Sequence, residues 1–350
     1  MDEMAIRGYY RSMARPSPSL MSVPWTTELA GALEAAASAI ARLDARVSAS
    51  SVASAWALRA AWTGYSKALQ LQGEEIDEID VFSWATGVQL SGRPHRESLH
   101  DPFSAFVPWQ RSLAATGHHW QEQLPFTPEL EDGFAGAPAL LRAFEVTRQF
   151  ALADRSILPW LWLPVLLHRM GVTRSALPSV ACGDKALRFG TVQQGPLALR
   201  LLRHLAKTAD RSLKALEAIE ADRRKAISAI SGVHRPGELT SLAAGLLHHP
   251  VTSPERTAAG LRLTLSGAGK LLDRAAQLGL VQEVSGRRSW RVYVVPDVAV
   301  ALGLVAAPRG RPRKALEPQG SSKDLNDIVS SFDRDMAEFD ARYSFSSSVE

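Results

Sequence analysis

Residues 264–284 read TLSGAGKLLDRAAQLGLVQEV, a run that joins a helical pattern to a strand pattern. Apolar residues recur at helical spacing and predict a helix over about 266–278. The side chains expected to face a core are Leu271, Leu272, Ala275 and Leu278. Gly279 is typical of a helix C-cap, and the alternation in Leu280–Val284 predicts a strand directly after it.

The flanking segments complete the order of a winged helix-turn-helix over residues 238–300. Upstream, a leucine-rich segment predicts a first helix that ends before Pro250. The stretch Val251–Pro254 predicts the start of a second helix, capped by Thr252 or Ser253. Downstream, a glycine-containing turn and the strand Trp290–Val294 predict a returning hairpin. We therefore expect a mainly α protein whose C-terminal winged helix carries a small β-hairpin.

This order predicts double-stranded DNA as the partner. In such folds the third helix enters the major groove, and its N-terminal residues lie nearest to the base edges. The candidate contacts are Thr264, Ser266, Lys270 and Arg274 on the helix, with Arg287, Arg288 and Arg291 on the hairpin. Small residues at 266–269 would let the backbone approach the DNA. The alternative is a winged helix that makes protein contacts or serves as a structural cap.

A basic segment at 306–316 follows and resembles an AT-hook. Its candidate contacts are Arg309, Gly310, Arg311, Arg313 and Lys314. Arginine side chains gain from the negative potential of the narrow minor groove in A-tracts, and a glycine lets the backbone lie deep in it. Such a hook favours A·T-rich DNA without reading a sequence. The alternative is a basic linker that contains the motif by chance.

The remaining ends differ in character. Residues 1–24 predict a flexible tail, and residues 321–350 predict an acidic amphipathic helix. This helix could dock on the protein, mediate dimerisation, bind a partner or compete with DNA for the basic hook.

Residues 25–233 predict a helical domain, which ends at the His-Arg-Pro-Gly run at 234–237. Helical patterns begin at Thr27, Ser51, Ile76 and Pro138, and a last long helix covers 196–231. Residues 91–137 are rich in proline and glycine and predict loops. The apolar stretch 157–167 is too short to span a bilayer and predicts a buried core helix.

Composition limits the class of protein. The chain has 350 residues, a formal charge of +4 and one cysteine, Cys182, which excludes a disulfide framework and a cysteine zinc site. No apolar segment follows the N-terminal arginines as in a secretory signal. We expect a cytoplasmic protein with no membrane contact, no cofactor and no metal. The adjacent pairs His118-His119 and His248-His249 indicate surface or capping roles.

The arrangement resembles a bacterial family of helix-turn-helix proteins common on plasmids of rhizobia, in which a helical domain of unknown function precedes the DNA-binding part. The similar stretches are Leu29–Arg46, Trp56–Gln89, Trp160–Pro178 and residues 239–294. The acidic segment Gly73–Asp77 departs from that pattern. The resemblance implies a transcriptional regulator or a factor for plasmid or mobile-element maintenance, and paired half-sites favour a homodimer.

The helical domain also resembles Fic domains, which transfer nucleotides with a histidine base and a glycine-rich loop that cradles phosphates. The corresponding segment here, Ala153–Pro159, lacks the histidine, the glycines and the asparagine. We therefore expect no enzyme activity. The alternatives are a diverged transferase that uses Asp154 and Arg155, and a scaffold subunit whose winged helix and acidic tail make protein contacts.

Overall fold

The computed structural model describes residues 19–88, 101–115, 119–122, 124, 126–181, 183–188, 193–286 and 290–306, together with Ser331, Arg334, Asp335 and Glu338. The protein is mainly helical and carries one small antiparallel sheet. Within the described part, no helix is both long and apolar enough to cross a membrane.

The described residues include helices from Thr27 to Ala301. They are α1 (Thr27–Ala49), α2 (Ala53–Gln72), α3 (Glu78–Thr86), α4 (Phe106–Ala114), α5 (Ala139–Ala153), α6 (Leu158–Arg169), α7 (Gln194–Ser231), α8 (Leu239–His248), α9 (Pro254–Leu261), α10 (Leu265–Gln277) and α11 (Pro296–Ala301). The strands are β1 (Val251–Thr252), β2 (Gln282–Glu283) and β3 (Tyr293–Val294). Single 3-10 turns lie at Leu20–Ser22, Phe134–Gly136, Pro178–Val180 and Lys185–Arg188.

The chain divides into two compact units, and both α2 and α7 contribute to each. The first unit comprises Met1–Ser48, Thr63–Glu75 and Ser98–Ser212. The second comprises Ala49–Trp62, Ile76–Glu97 and Leu213–Glu350. The domain boundary predicted at 234–237 lies inside the second unit.

The first unit is built around aromatic side chains and the apolar helix α6. Tyr65 lies edge-on to Phe106, with ring centroids 5.2 Å apart, and the Trp109 indole donates a hydrogen bond to the Leu161 carbonyl at 2.7 Å. Residues 159–167 of α6 are all buried. The prediction of a core helix at 157–167 is thus confirmed.

Helix α4 was not predicted, since residues 91–137 were interpreted as loop from their prolines and glycines. Pro108 lies in the first turn of α4, where its missing N–H has no helical acceptor to lose. Phe106 and Trp109 of the same turn are buried, at 5% and 1% exposure. Core packing of these two aromatic side chains therefore outweighs the composition of the segment.

The second unit contains the sheet, whose strand order is β1-β3-β2 with both pairings antiparallel. Val251 pairs with Val294, and Gln282 also pairs with Val294 from the other side. The prediction that Val251 and Thr252 begin a helix is wrong. Both residues are buried and β-branched, and they form a strand because a partner strand lies beside them.

The helices of this segment follow the predicted order. Helix α10 runs from Leu265 to Gln277, within one residue of the predicted bounds, and Gly279 follows it in the left-handed conformation with φ of 72°. Ser253 caps α9 by accepting a hydrogen bond from the Arg256 amide, and Pro254 occupies its first turn. The two hairpin strands are shorter than predicted.

A buried carboxylate of α5 forms an ion pair within that helix and binds the segment before α1 in the first unit. The Glu145 carboxylate accepts hydrogen bonds from the Leu20 amide at 2.9 Å, from the Arg148 guanidinium at 2.6 Å and from the Gln149 amide at 2.9 Å. Glu145 and Arg148 expose only 2% and 6% of their side chains. Removing one partner of such a pair leaves the other charge buried and uncompensated.

We predict that Glu145→Ala lowers the free energy of unfolding by about 3–5 kcal/mol, as expected for a broken buried pair. The control is Glu28→Ala in the exposed pair of Glu28 with Arg203, where both side chains are more than 60% exposed. That variant should cost less than about 1 kcal/mol. Denaturant titration of both variants checks the difference, and equal losses would contradict it.

Candidate nucleic-acid interface

The first turn of α10 is held by a side-chain cap. The Thr264 hydroxyl accepts a hydrogen bond from the Gly267 amide at 3.1 Å, in the β-region backbone conformation of an N-cap. Thr264 thus positions the turn, and its hydroxyl keeps a lone pair for other contacts. Ser266 and Lys270 are exposed on the same helix. These three predicted residues therefore lie together at one end of α10.

Arg291 lies against α10, where Asp273 binds it. Its guanidinium donates to the Asp273 carboxylate at 2.6 Å and lies 5.5 Å from the Tyr293 ring centroid. The Tyr293 hydroxyl donates to the same carboxylate at 2.8 Å. Arg291 thereby joins the β2–β3 hairpin to α10. The pairing neutralises its charge locally, although 31% of its side chain remains exposed.

Arg274 is also engaged within the protein. Both of its terminal nitrogens donate to the Arg235 carbonyl at 3.3 Å. Arg235 has a φ of 58°, a left-handed conformation that is uncommon outside glycine. Arg274 therefore stabilises an unusual turn just before α8. Among the predicted cations in the described residues, Lys270 is the exposed one without an ion pair.

The other predicted contacts lie outside the described residues. These are Arg287 and Arg288 at the hairpin tip and Arg309, Gly310, Arg311, Arg313 and Lys314 of the basic hook. Of the acidic tail, Ser331, Arg334, Asp335 and Glu338 are described, and all four are helical. Cys182 and His118 likewise fall outside the described part.

The β2–β3 hairpin is organised by a carboxylate at its base. Glu283 accepts hydrogen bonds from the Ser285 and Gly286 amides, each at 2.9 Å, and from the Ser285 hydroxyl. Gly286 has a φ of 61°, which favours glycine at this point of the turn. A carboxylate that binds successive amides fixes where the hairpin turns.

Two exposed apolar side chains near this surface were not predicted. Leu265 exposes 56% of its surface at the first position of α10, and Trp290 exposes 73% on the hairpin. Trp290 has a φ of 61°, an outlier for a bulky residue. Helical spacing alone could not identify Leu265 as exposed. It lies seven residues before the buried Leu272, and this spacing predicts a core position.

Arg59 connects α2 to the C-terminal helices within the second unit. Its guanidinium donates to the Leu246 carbonyl at 2.9 Å and lies 3.7 Å from the Asp297 carboxylate. The Arg59 side chain is 8% exposed. Leu246 lies in the last turn of α8, where carbonyls have no helical donor. Arg59 therefore caps α8 and holds α11 through one buried charge.

A second carboxyl group lies beside Asp297. Burial and the neighbouring Asp297 carboxylate raise the pKa of Asp222 to about 6. Lys225, one turn further along α7, donates to Asp222 at 3.0 Å and opposes this shift. The Asp222 carboxyl thus keeps its proton to a higher pH than an isolated aspartate would, because its charged form would be buried beside a second carboxylate.

Of the histidine pair at 248–249, for which surface or capping roles are predicted, His249 is the C-cap residue of α8 and neither residue is fully exposed. His248 is buried, and its Nε2 lies 3.3 Å from the Ser54 hydroxyl. Burial, and then the nearby Arg256 charge, lower the pKa of His249 to about 4. His249 is thus neutral at physiological pH and packs against Trp62, with ring centroids 6.1 Å apart.

The segment compared above with Fic loops has a local structural role. Asp154 accepts a hydrogen bond from the Ser156 amide at 2.6 Å, just before α6. Among the described residues, no three histidine, cysteine, aspartate or glutamate side chains come together as a metal site would require. No protein-family model matches the chain, and no curated protein sequence matches it.

The raised pKa of Asp222 predicts a pH-dependent stability of the second unit. A folded-state pKa above the ordinary aspartate value of 3.8 means that the folded protein holds the proton more tightly. The resulting stabilisation is complete below about pH 4 and is lost as the pH rises through about 6. The free energy of unfolding should therefore fall across this range on account of Asp222, by up to about 3 kcal/mol.

Asp222→Asn should remove this contribution, since the amide stays neutral. We expect denaturant titrations at several pH values to show a flatter profile for the variant between pH 4 and 7. Profiles of equal slope for the variant and the parent chain would contradict the raised pKa.

Proposed function

We propose that residues 239–301 form a winged helix-turn-helix that binds double-stranded DNA. The observation that carries the proposal is the exposed first turn of α10, which follows α8, β1 and α9 and precedes the β2–β3 hairpin. In winged helices a helix in this position enters the major groove, and the hairpin contacts the backbone beside it. Ser266 and Lys270 supply a hydroxyl and a charge at the end nearest to the bases.

Charge supports the same proposal. Lys270 is exposed, and the sequence places Arg287 and Arg288 at the tip of the adjacent hairpin. Cations at these points can neutralise phosphates on both sides of a groove.

The basic hook at 306–316 is proposed as a second contact that favours A·T-rich minor grooves. Arg309, Gly310 and Arg311 would lie in the groove, with Arg313 and Lys314 on the flanking phosphates. A homodimer would place two such units on paired half-sites and multiply the affinity. We assign the chain no catalytic role and no cofactor.

The biological role that fits these features is a bacterial transcriptional regulator or a factor for plasmid or mobile-element maintenance. This assignment rests on the proposed DNA binding and on the resemblance to rhizobial helix-turn-helix proteins. Such a protein would act in the cytoplasm, in association with the nucleoid.

The first test is the affinity of the intact chain for mixed-sequence and A·T-rich duplexes across a salt series. We predict that Lys270→Ala weakens binding and reduces the slope of log K against log salt by about 0.9, the value for one phosphate contact. Lys185→Ala, an exposed lysine of the first unit, is the matched control and should leave both values unchanged.

A double variant tests the hook. Arg309→Ala with Arg311→Ala should lower the affinity for A·T-rich duplexes more than for mixed ones, because minor-groove potential is strongest in A-tracts. Equal binding of both duplexes by the parent chain would contradict the hook. Salt-independent binding, or none, would contradict DNA binding and favour a scaffold that uses this segment for protein contacts.

A further inference from the structure

Leu265 is an exposed apolar side chain at a point where the hydrophobic core has ended. It exposes 56% of its surface, whereas Leu272, two turns further along α10, is fully buried. Both belong to the same apolar stripe, because residues seven apart lie on one side of a helix. The apolar stripe of α10 thus extends beyond the part of the helix that is buried in the core.

The neighbours of Leu265 are polar, small or positively charged. Thr264 caps the helix, Ser266 and Lys270 are exposed, and Gly267 and Ala268 complete the turn. A protein partner for a lone leucine would need an apolar surface around it, and this turn offers none. A polyanion with isolated methyl groups on its surface matches the pattern better.

Double-stranded DNA is such a ligand, since the C5-methyl group of thymine projects into the major groove and is read by apolar contact. We propose that Leu265 contacts a thymine methyl and makes the first turn of α10 select thymine at one position of the site. This inference rests on the proposed DNA binding and adds a residue that determines specificity. Leu265 would act beside Ser266, which can bond to any base.

The contact is tested by removing the methyl group from the DNA. A duplex selected by the intact protein from a randomised pool is prepared with thymine and again with deoxyuridine in its place. For the parent chain we expect about four-fold weaker binding to the uracil duplex, which corresponds to the free energy of burying one CH₂ group. Single replacements then locate the thymine that is responsible.

Leu265→Ala should bind both duplexes equally and should match the parent chain on the uracil duplex within about two-fold, as required if the lost contact is the methyl group. The control is Leu130→Ala, which removes a 45% exposed leucine of the first unit and should keep the full sensitivity to the methyl group. Leu265→Met keeps an apolar side chain and should keep most of the sensitivity to the methyl group. Thermal melts of the variants verify that the fold is retained.

The failures of the two proposals can be told apart. If salt-dependent binding persists but Leu265→Ala loses as much affinity on removal of the methyl groups as the parent chain, the thymine contact is wrong and DNA binding stands. A selected site that has no thymine where α10 would contact it would also contradict the thymine contact and leave DNA binding intact. If no duplex is bound, both proposals fall.

Discussion

Burial of the Arg59 guanidinium is the constraint on which the second unit depends. A charge at 8% exposure is costly to bury unless it is paired, and Arg59 donates a hydrogen bond to the Leu246 carbonyl at 2.9 Å and lies 3.7 Å from the Asp297 carboxylate. These partners lie in α8 and α11, which begin and end the segment that contains α10. The first part of α2, up to Trp62, therefore belongs to the same compact unit as this segment, which is not a separate C-terminal domain.

A second set of polar contacts shapes the surface itself. Asp273 draws Arg291 and Tyr293 onto α10, and the Arg235 carbonyl holds Arg274. Two arginines that sequence analysis assigned to DNA thus have structural partners. In the proposed DNA complex, specificity depends on the N-terminal part of α10, where Thr264 is the cap, Leu265 and Ser266 are exposed in the first turn, and Lys270 is exposed in the next. Affinity would come from the cations of the hairpin tip and the hook.

Sequence patterns predicted the structural features that interactions between neighbouring residues determine. The bounds of α10, its glycine cap and the Ser253 cap of α9 follow from residues within a turn of each other. Contacts between distant residues were missed. Strand β1 exists because Val251 meets Val294, Arg291 meets Asp273 from 18 residues away, and Arg59 meets Leu246 from 187 residues away. The prediction that Arg291 contacts DNA did not take Asp273 into account. From sequence alone, a carboxylate on a helix is expected to face solvent, and its ion-pair partner is not visible.

The central claim is that α10 and the hairpin contact DNA while Arg59 holds the segment within the second unit. Amide hydrogen exchange of the full chain, compared with and without a short duplex, tests it most directly. Binding of DNA should slow exchange in residues 264–271 and 283–292, and it should leave the strongly protected amides of α2 around Arg59 unchanged. Protection confined to the first unit, or no change anywhere on addition of duplex, would contradict it.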